Sequence, residues 1–186
     1  MKLVILDRDG VINQDSANFI KNPSEWIPIA GSLDAISLLN QSGYRVAVAT
    51  NQSGVSRGLI DMATLNSIHE KMNRELALLG GRIDAIFYCP HASDEHCRCR
   101  KPNIGMMEEI GRRFSIELLG VPAIGDALRD LQAFSAAGCQ PILVLTGKGE
   151  ATLAASKQSA DKALPANTWL CADLADAVQR ITAEQG

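Results

Sequence analysis

Runs of consecutive apolar residues alternate along this chain with stretches whose apolar positions recur every three or four residues. Leu3 to Leu6, Val46 to Ala49, Ala85 to Tyr88, Val121 to Ile124, Ile142 to Leu145 and a short run at Trp169–Cys171 are of strand length. Having no polar face, they predict strands buried on both sides, as parallel sheets require. Between them Leu33/Ile36/Leu39, then Leu65/Ile68/Met72/Leu76/Leu79, then Met106/Met107/Ile110/Phe114 keep helical spacing. Ser32 and Asp61 read as N-caps, and Gly43 and Gly80-Gly81 as stops. Further helices are expected up to Gly138 and from Asp173 onward. His69 reads as a surface residue off its helix's inner stripe. The alternation predicts one α/β domain over residues 1–186, a parallel sheet with helices on both faces. No internal repeat or linker divides it.

Two stretches break the rhythm. Residues 11–30 have no helical period and carry two prolines, so they read as a loop or short hairpin, with Trp26 as a core contact or anchor. Residues 150–167 are rich in Ala, Ser and Lys and read as peripheral.

Polar clusters stand where three of the strands end: Asp7-Arg8-Asp9-Gly10, Thr50-Asn51-Gln52-Ser53-Gly54 and Gly125-Asp126-Ala127-Leu128-Arg129-Asp130. In open α/β sheets these carboxyl ends form the ligand crevice. An isolated Asp-x-Asp or Ser/Asn/Gly turn reads equally well as solvated loop. Together they offer oxygen-only ligands suited to Mg²⁺, and hydroxyl, amide and backbone N–H groups suited to a phosphate. Lys101 could supply fixed positive charge for a phosphoryl group. A carboxylate beside Mg²⁺ can act as nucleophile, and a second acid two residues on can exchange a proton with the leaving group and with water.

Composition narrows the classes. The 186 residues are 46% hydrophobic and 21% charged, with a formal charge of −3, which is ordinary for a globular protein and unlike a polyanion binder. No apolar run approaches the roughly 18 residues of a membrane span, and Asp7 to Asp9 interrupt the N-terminus too early for a signal peptide. The expectation is a cytoplasmic enzyme or binding domain without nucleic-acid or membrane partners.

Of five cysteines, Cys89, Cys97 and Cys99 cluster with His91 and His96, whereas Cys139 and Cys171 stand alone as small hydrophobes. Three sulfurs and an imidazole from Cys89, His91, Cys97 and Cys99 can close a tetrahedral zinc site, which would staple a loop with little core of its own. His96 is an alternative ligand.

The four strand-end motifs, Asp7-Arg8-Asp9-Gly10, Thr50-Asn51, Lys101 and Gly125-Asp126-x3-Asp130, resemble in order and spacing those of the haloacid dehalogenase (HAD) superfamily of phosphohydrolases. The run from Cys89-Pro90-His91 to Cys97-Arg98-Cys99-Arg100-Lys101-Pro102 is similar to that of its heptose 1,7-bisphosphate 7-phosphatases and histidinol-phosphate phosphatases. No dehydratase domain of the kind often fused to the latter follows, which favours the heptose branch. The resemblance implies a single Rossmann-like domain without a large cap, its crevice covered by residues 11–30 and the zinc loop 89–99. It implies Asp7 as nucleophile, Asp9 as general acid/base, and Thr50 and Lys101 on the transferred phosphoryl group. Mg²⁺ would bind Asp7, the Asp9 backbone carbonyl and Asp126, with Asp130 supporting that site from behind. Asp15, Ser16, Ala17, Asn18, Asn51, Gln52, Ser53 and Arg100 would line the substrate site, Arg100 as a fork for the distal phosphate or sugar hydroxyls. The Asp15–Asn18 run lacks the His-Gly-Tyr of some relatives, and Ala127 stands where some carry a polar residue. A small sugar bisphosphate acted on by a monomer, in lipopolysaccharide core heptose synthesis, is the implied setting. A zinc-stapled, Mg²⁺-holding module without turnover is the alternative from another class.

Overall fold

The computed structural model describes residues 1–183. Six strands form one sheet: β1 (Lys2–Leu6), β2 (Tyr44–Asn51), β3 (Ala85–Cys89), β4 (Pro122–Gly125), β5 (Gln140–Val144) and β6 (Trp169–Cys171). Their order is β3-β2-β1-β4-β5-β6, and every neighbouring pair is parallel. The connections carry α1 (Ser32–Gln41), α2 (Met62–Leu78), α3 (Gly105–Phe114), α4 (Leu128–Ala136) and α5 (Gly149–Ser156), and α6 (Leu174–Ala183) closes the described chain. The strand order reverses direction at β1, flanked by β2 and β4, which makes the β1/β4 junction the switch point where such sheets bind ligands.

Strand side chains alternate between two cores. Val4, Leu6, Val46, Val48 and Ile124 pack with the apolar stripes of α1, α2 and α6. Leu3, Ile5, Ala47, Ala49 and Ala123 pack with Met106, Met107, Ile110, Leu131 and Phe134 of α3 and α4. Both faces are therefore covered by helices, which explains why the strands carry no polar alternation.

The 11–30 segment crosses the carboxyl ends of the strands. An antiparallel bridge between Asn13 and Pro28 gives it a hairpin-like base. Trp26 is fully buried in the first core, with Lys71 of α2 over its ring and donating to the carbonyls of Pro23 and Trp26 at 3.0 and 2.7 Å. This side chain anchors the segment.

Several local expectations need correction. Ser32 is the first residue of α1, not its cap; Gly31 precedes the helix at φ +79°, and the Ser32 hydroxyl instead donates to Ile12 O at 2.6 Å, tying helix to loop. Leu79 has the stripe's spacing but lies beyond the end of α2 and is exposed. His69 is buried, because it sits four residues after Leu65 and three before Met72, on the inward face after all. Asp61 does cap α2, accepting from Thr64 N at 2.7 Å. No helix among the described residues is long and apolar enough to cross a membrane.

Candidate active site

Asp7 follows β1, Thr50 and Asn51 end β2, and Asp126 follows β4, so parallel neighbouring strands deliver these groups to one rim. A cavity of about 300 Å³ opens there, lined among others by Asp7, Asp9, Thr50, Gln52, Arg100 and Lys101. Asp15, Ser16, Ala17, Asn51 and Ser53 also line it, whereas Asn18 is exposed outside it. Phe19, Ile20, Arg129 and Lys148 line it too.

Lys101 is buried and thoroughly tethered. Its ammonium lies 3.0 Å from Asp7 Oδ1, 2.7 Å from Asp130 Oδ1 and 2.7 Å from Ala49 O. Asn51 fixes the same residue's backbone, its amide donating to Lys101 O and its oxygen accepting from Lys101 N, both at 3.1 Å. Asn51 thus spends its side chain on positioning the lysine. Gln52 Nε2 donates to Thr50 Oγ1 at 2.9 Å and to Asp9 Oδ2 at 3.0 Å, which leaves the Thr50 hydroxyl hydrogen free to donate into the cavity.

The carboxylates differ in character. Burial pushes Asp7 up to about 6, with Asp130 and Asp9 adding repulsion against the opposing pull of Lys101. Burial, then Asp7 and Asp130, push Asp126 up to about 8. Burial also acts on Asp9, but the Arg8 guanidinium with hydrogen bonds from Asn13 and Gln52 outweighs it and holds the carboxyl below the usual range.

Carboxylate oxygens of Asp7, Asp126 and Asp130 converge within 4.8 Å of one another. Asp130 is already engaged, through Lys101 and through Ala127 N at 3.0 Å. Asp126 Oδ2 accepts from Lys148 N at 2.8 Å, while its Oδ1, like Oδ2 of Asp7, has no hydrogen-bond partner among the described residues. Gly10 and Gly147, both at positive φ, leave space that a Cβ would take from the Asp126 carboxylate. Crowded, desolvated, all-oxygen donors with free lone pairs fit a hard divalent cation, and the site suits Mg²⁺.

That fit has a pH signature. Raised folded-state values mean that metal-free protein binds extra protons between about pH 4 and 8, so their stabilising contribution is full below about pH 4 and is lost as pH rises through about 6 and 8. Mg²⁺ relieves the repulsion that develops, so it should raise Tm by several degrees more at about pH 8 than at about pH 5.5. A thermal melt series with equal or reversed gains would contradict the assignment.

Away from the cavity, Cys89, His91, Cys97 and Cys99 also converge. Their sulfurs lie 3.1–3.5 Å apart, and His91 Nδ1 is 3.6 Å from Cys89 Sγ and 3.3 Å from Cys99 Sγ. These separations are too long for disulfides and approach the edges of a tetrahedron with bonds of about 2.3 Å, so the cluster suits a structural zinc. His96 is not part of it. Arg100 Nη1 donates to His91 O at 3.0 Å, which links the cluster to the cavity wall.

A family model described as HAD-hydrolase-like matches residues 98–177, and one described as polynucleotide kinase 3 phosphatase matches residues 2–128. With the sheet and its acidic switch point, these define a phosphoric monoester hydrolase of the HAD class. The chain is 55% identical over 184 residues to the D-glycero-beta-D-manno-heptose-1,7-bisphosphate 7-phosphatase of Bordetella bronchiseptica, covering 99% of each. It is 50% identical over 175 residues to the protein of that name from Pseudomonas putida, covering 94% of this chain and 96% of the relative. A crystal structure of D,D-heptose 1,7-bisphosphate phosphatase from B. bronchiseptica complexed with magnesium and phosphate superposes with a TM-score of 0.94 at 56% identity, covering 99% of each chain. The chain belongs to the D-glycero-beta-D-manno-heptose-1,7-bisphosphate 7-phosphatase family.

Sequence reasoning missed Phe19, Ile20, Arg129 and Lys148 as cavity-lining residues. Lys148 was legible only as part of the polar turn Thr146–Gly149 after β5. Its ammonium pairs with Asp15 at 2.6 Å across the cavity mouth.

Proposed function

We propose that this chain, acting as one domain over residues 1–186, removes the 7-phosphate of D-glycero-D-manno-heptose 1,7-bisphosphate, on the route to lipopolysaccharide core heptose. The observation that carries the reading is the pairing of two charge environments in one cavity. Asp7, Asp9, Thr50 and Lys101 serve the transferred group, while Arg100 in the same cavity offers a cation to a second phosphate, with Lys148 a further one in exchange for its pairing with Asp15.

In this reading Asp7 attacks the 7-phosphoryl group and becomes an aspartyl phosphate as the phosphorus–oxygen bond to the sugar breaks, and the departing alkoxide takes a proton from Asp9. The Arg8 pairing favours Asp9 as carboxylate, so to act as the acid it must enter each turn already protonated. Asp9 then removes a proton from water, which attacks phosphorus and releases Asp7. The Lys101 ammonium and the Thr50 hydroxyl balance charge on the equatorial oxygens. Asp7, the Asp9 carbonyl and Asp126 would hold Mg²⁺, which would supply further charge neutralisation when bound. Asp130 acts through Lys101 and the Ala127 amide rather than on the phosphate. Asp15, Ser16, Ala17, Gln52 and Ser53 make the sugar-side wall, with Asn18 outside it. Three thiols held for a metal suit a reducing compartment, so we place the enzyme in the cytoplasm, working as a monomer on a small molecule.

Steady-state rates on the heptose bisphosphate and on histidinol phosphate test the substrate. We expect kcat/KM to favour the bisphosphate at least about 100-fold, because an unfilled cationic subsite costs binding energy of about 1.4 kcal/mol per tenfold. A preference for histidinol phosphate would overturn the choice.

A further inference from the structure

Arg8 stands between the two aspartates that follow β1, yet its side chain is fully buried and does not line the cavity. Its guanidinium uses two edges. Nε and Nη2 donate to Oδ1 and Oδ2 of Asp9 at 3.0 and 3.1 Å, a two-pronged pairing. Nη1 lies 3.1 Å from Nε2 of His69, sixty-one residues further along the chain. A guanidinium only donates and stays protonated, so Nε2 of His69 must be the acceptor. The ring is therefore neutral and carries its proton on Nδ1.

The direction of that acceptor is set by packing. Leu65, Ile68, Met72 and Leu76 bury the same face of α2, so the helix cannot rotate His69 away without opening the first core. Because the guanidinium is planar, holding Nη1 fixes the plane of the opposite fork as well. Asn13 and Gln52 complete the cradle around Asp9, at 2.9 and 3.0 Å. Those two alone would leave the carboxylate free to turn about the line joining their contacts.

We infer that His69 is a positioning residue: it orients Arg8, whose fork holds the Asp9 carboxylate in the plane from which it exchanges a proton with the leaving group. This rests on the reading of Asp9 as general acid/base. It assigns a catalytic consequence to a histidine that touches neither substrate nor metal.

The test compares two substrates on one preparation. A sugar alkoxide needs a proton to depart, whereas p-nitrophenolate leaves as an anion. A misaligned Asp9 therefore slows the heptose bisphosphate more than p-nitrophenyl phosphate. His69→Leu is expected to lower the ratio of their kcat values by about 10- to 100-fold. His69→Gln, whose side-chain oxygen can accept from Arg8, should hold the ratio within about threefold of wild type. Partial unfolding scales both rates alike and cancels in the ratio. Should His69→Leu fail to fold, Arg8→Lys keeps the charge but lacks the fork, and it is expected to lower the same ratio. An unchanged ratio in His69→Leu, or in Arg8→Lys, would overturn the inference, as would an equal fall in His69→Gln and His69→Leu. Wild-type protein inert toward the bisphosphate would instead overturn the functional reading, and this inference with it.

Discussion

Asp7→Asn is expected to lower kcat at least about 1,000-fold while the protein stays folded. That loss corresponds to about 4 kcal/mol of barrier, since each tenfold is about 1.4 kcal/mol. The amide is nearly the size of the carboxylate but cannot form an acyl phosphate. Stability should hold, because Lys101 keeps Asp130 at 2.7 Å and Ala49 O at 2.7 Å when the Asp7 charge is gone. Repulsion from Asp126, Asp130 and Asp9 also falls. Phosphate release and a thermal melt on the same sample separate the two effects. Turnover within tenfold of wild type would show that Asp7 is not the nucleophile, and the non-catalytic alternative predicts no turnover from wild type either.

The second large effect concerns the Cys89/His91/Cys97/Cys99 cluster. A ligand bound at about 1,000 times its Kd contributes about 4 kcal/mol of stability, which at about 2–4 °C per kcal/mol for a chain of this size means a fall of roughly 8–16 °C in Tm on removal. We expect such a fall on chelation of zinc and in Cys97→Ser, together with loss of bound zinc by elemental analysis. The loop between β3 and α3 has little core besides this cluster, with the Cys97 and Cys99 side chains packed only partly buried against the second core. The chemistry should suffer less: measured well below Tm, kcat should stay within about fivefold. KM should rise, because the His91 carbonyl that holds Arg100 would move. An unchanged melt after zinc loss would remove the structural role.

Much of the site was visible in the chain because its chemistry sits directly after buried strands. Asp7, Thr50 and Asp126 needed only the inference that continuous apolar runs form parallel strands, whose carboxyl ends then share a rim. The zinc cluster was visible because its four ligands fall within eleven residues, from Cys89 to Cys99. What stayed hidden depends on long-range packing. Arg129 and Lys148 reach the cavity from the turns after β4 and β5, where nothing local says which way a basic side chain points. His69 had a usable signal in its spacing from Leu65 and Met72, but polarity masked it. Only the fold reveals that its partner is Arg8, on the neighbouring strand's end. Ser32 shows the converse error, a residue of cap type whose hydroxyl bonds the 11–30 loop instead.

The most direct examination of the covalent step is peptide mass mapping after rapid acid quench and borohydride reduction of enzyme turning over the bisphosphate. Asp7 is predicted to be reduced to the alcohol in the N-terminal peptide, in proportion to the aspartyl phosphate present, with Asp9 unchanged. Continued phosphate release with residue 7 intact at every quench time, or reduction confined to another carboxylate, would contradict the account.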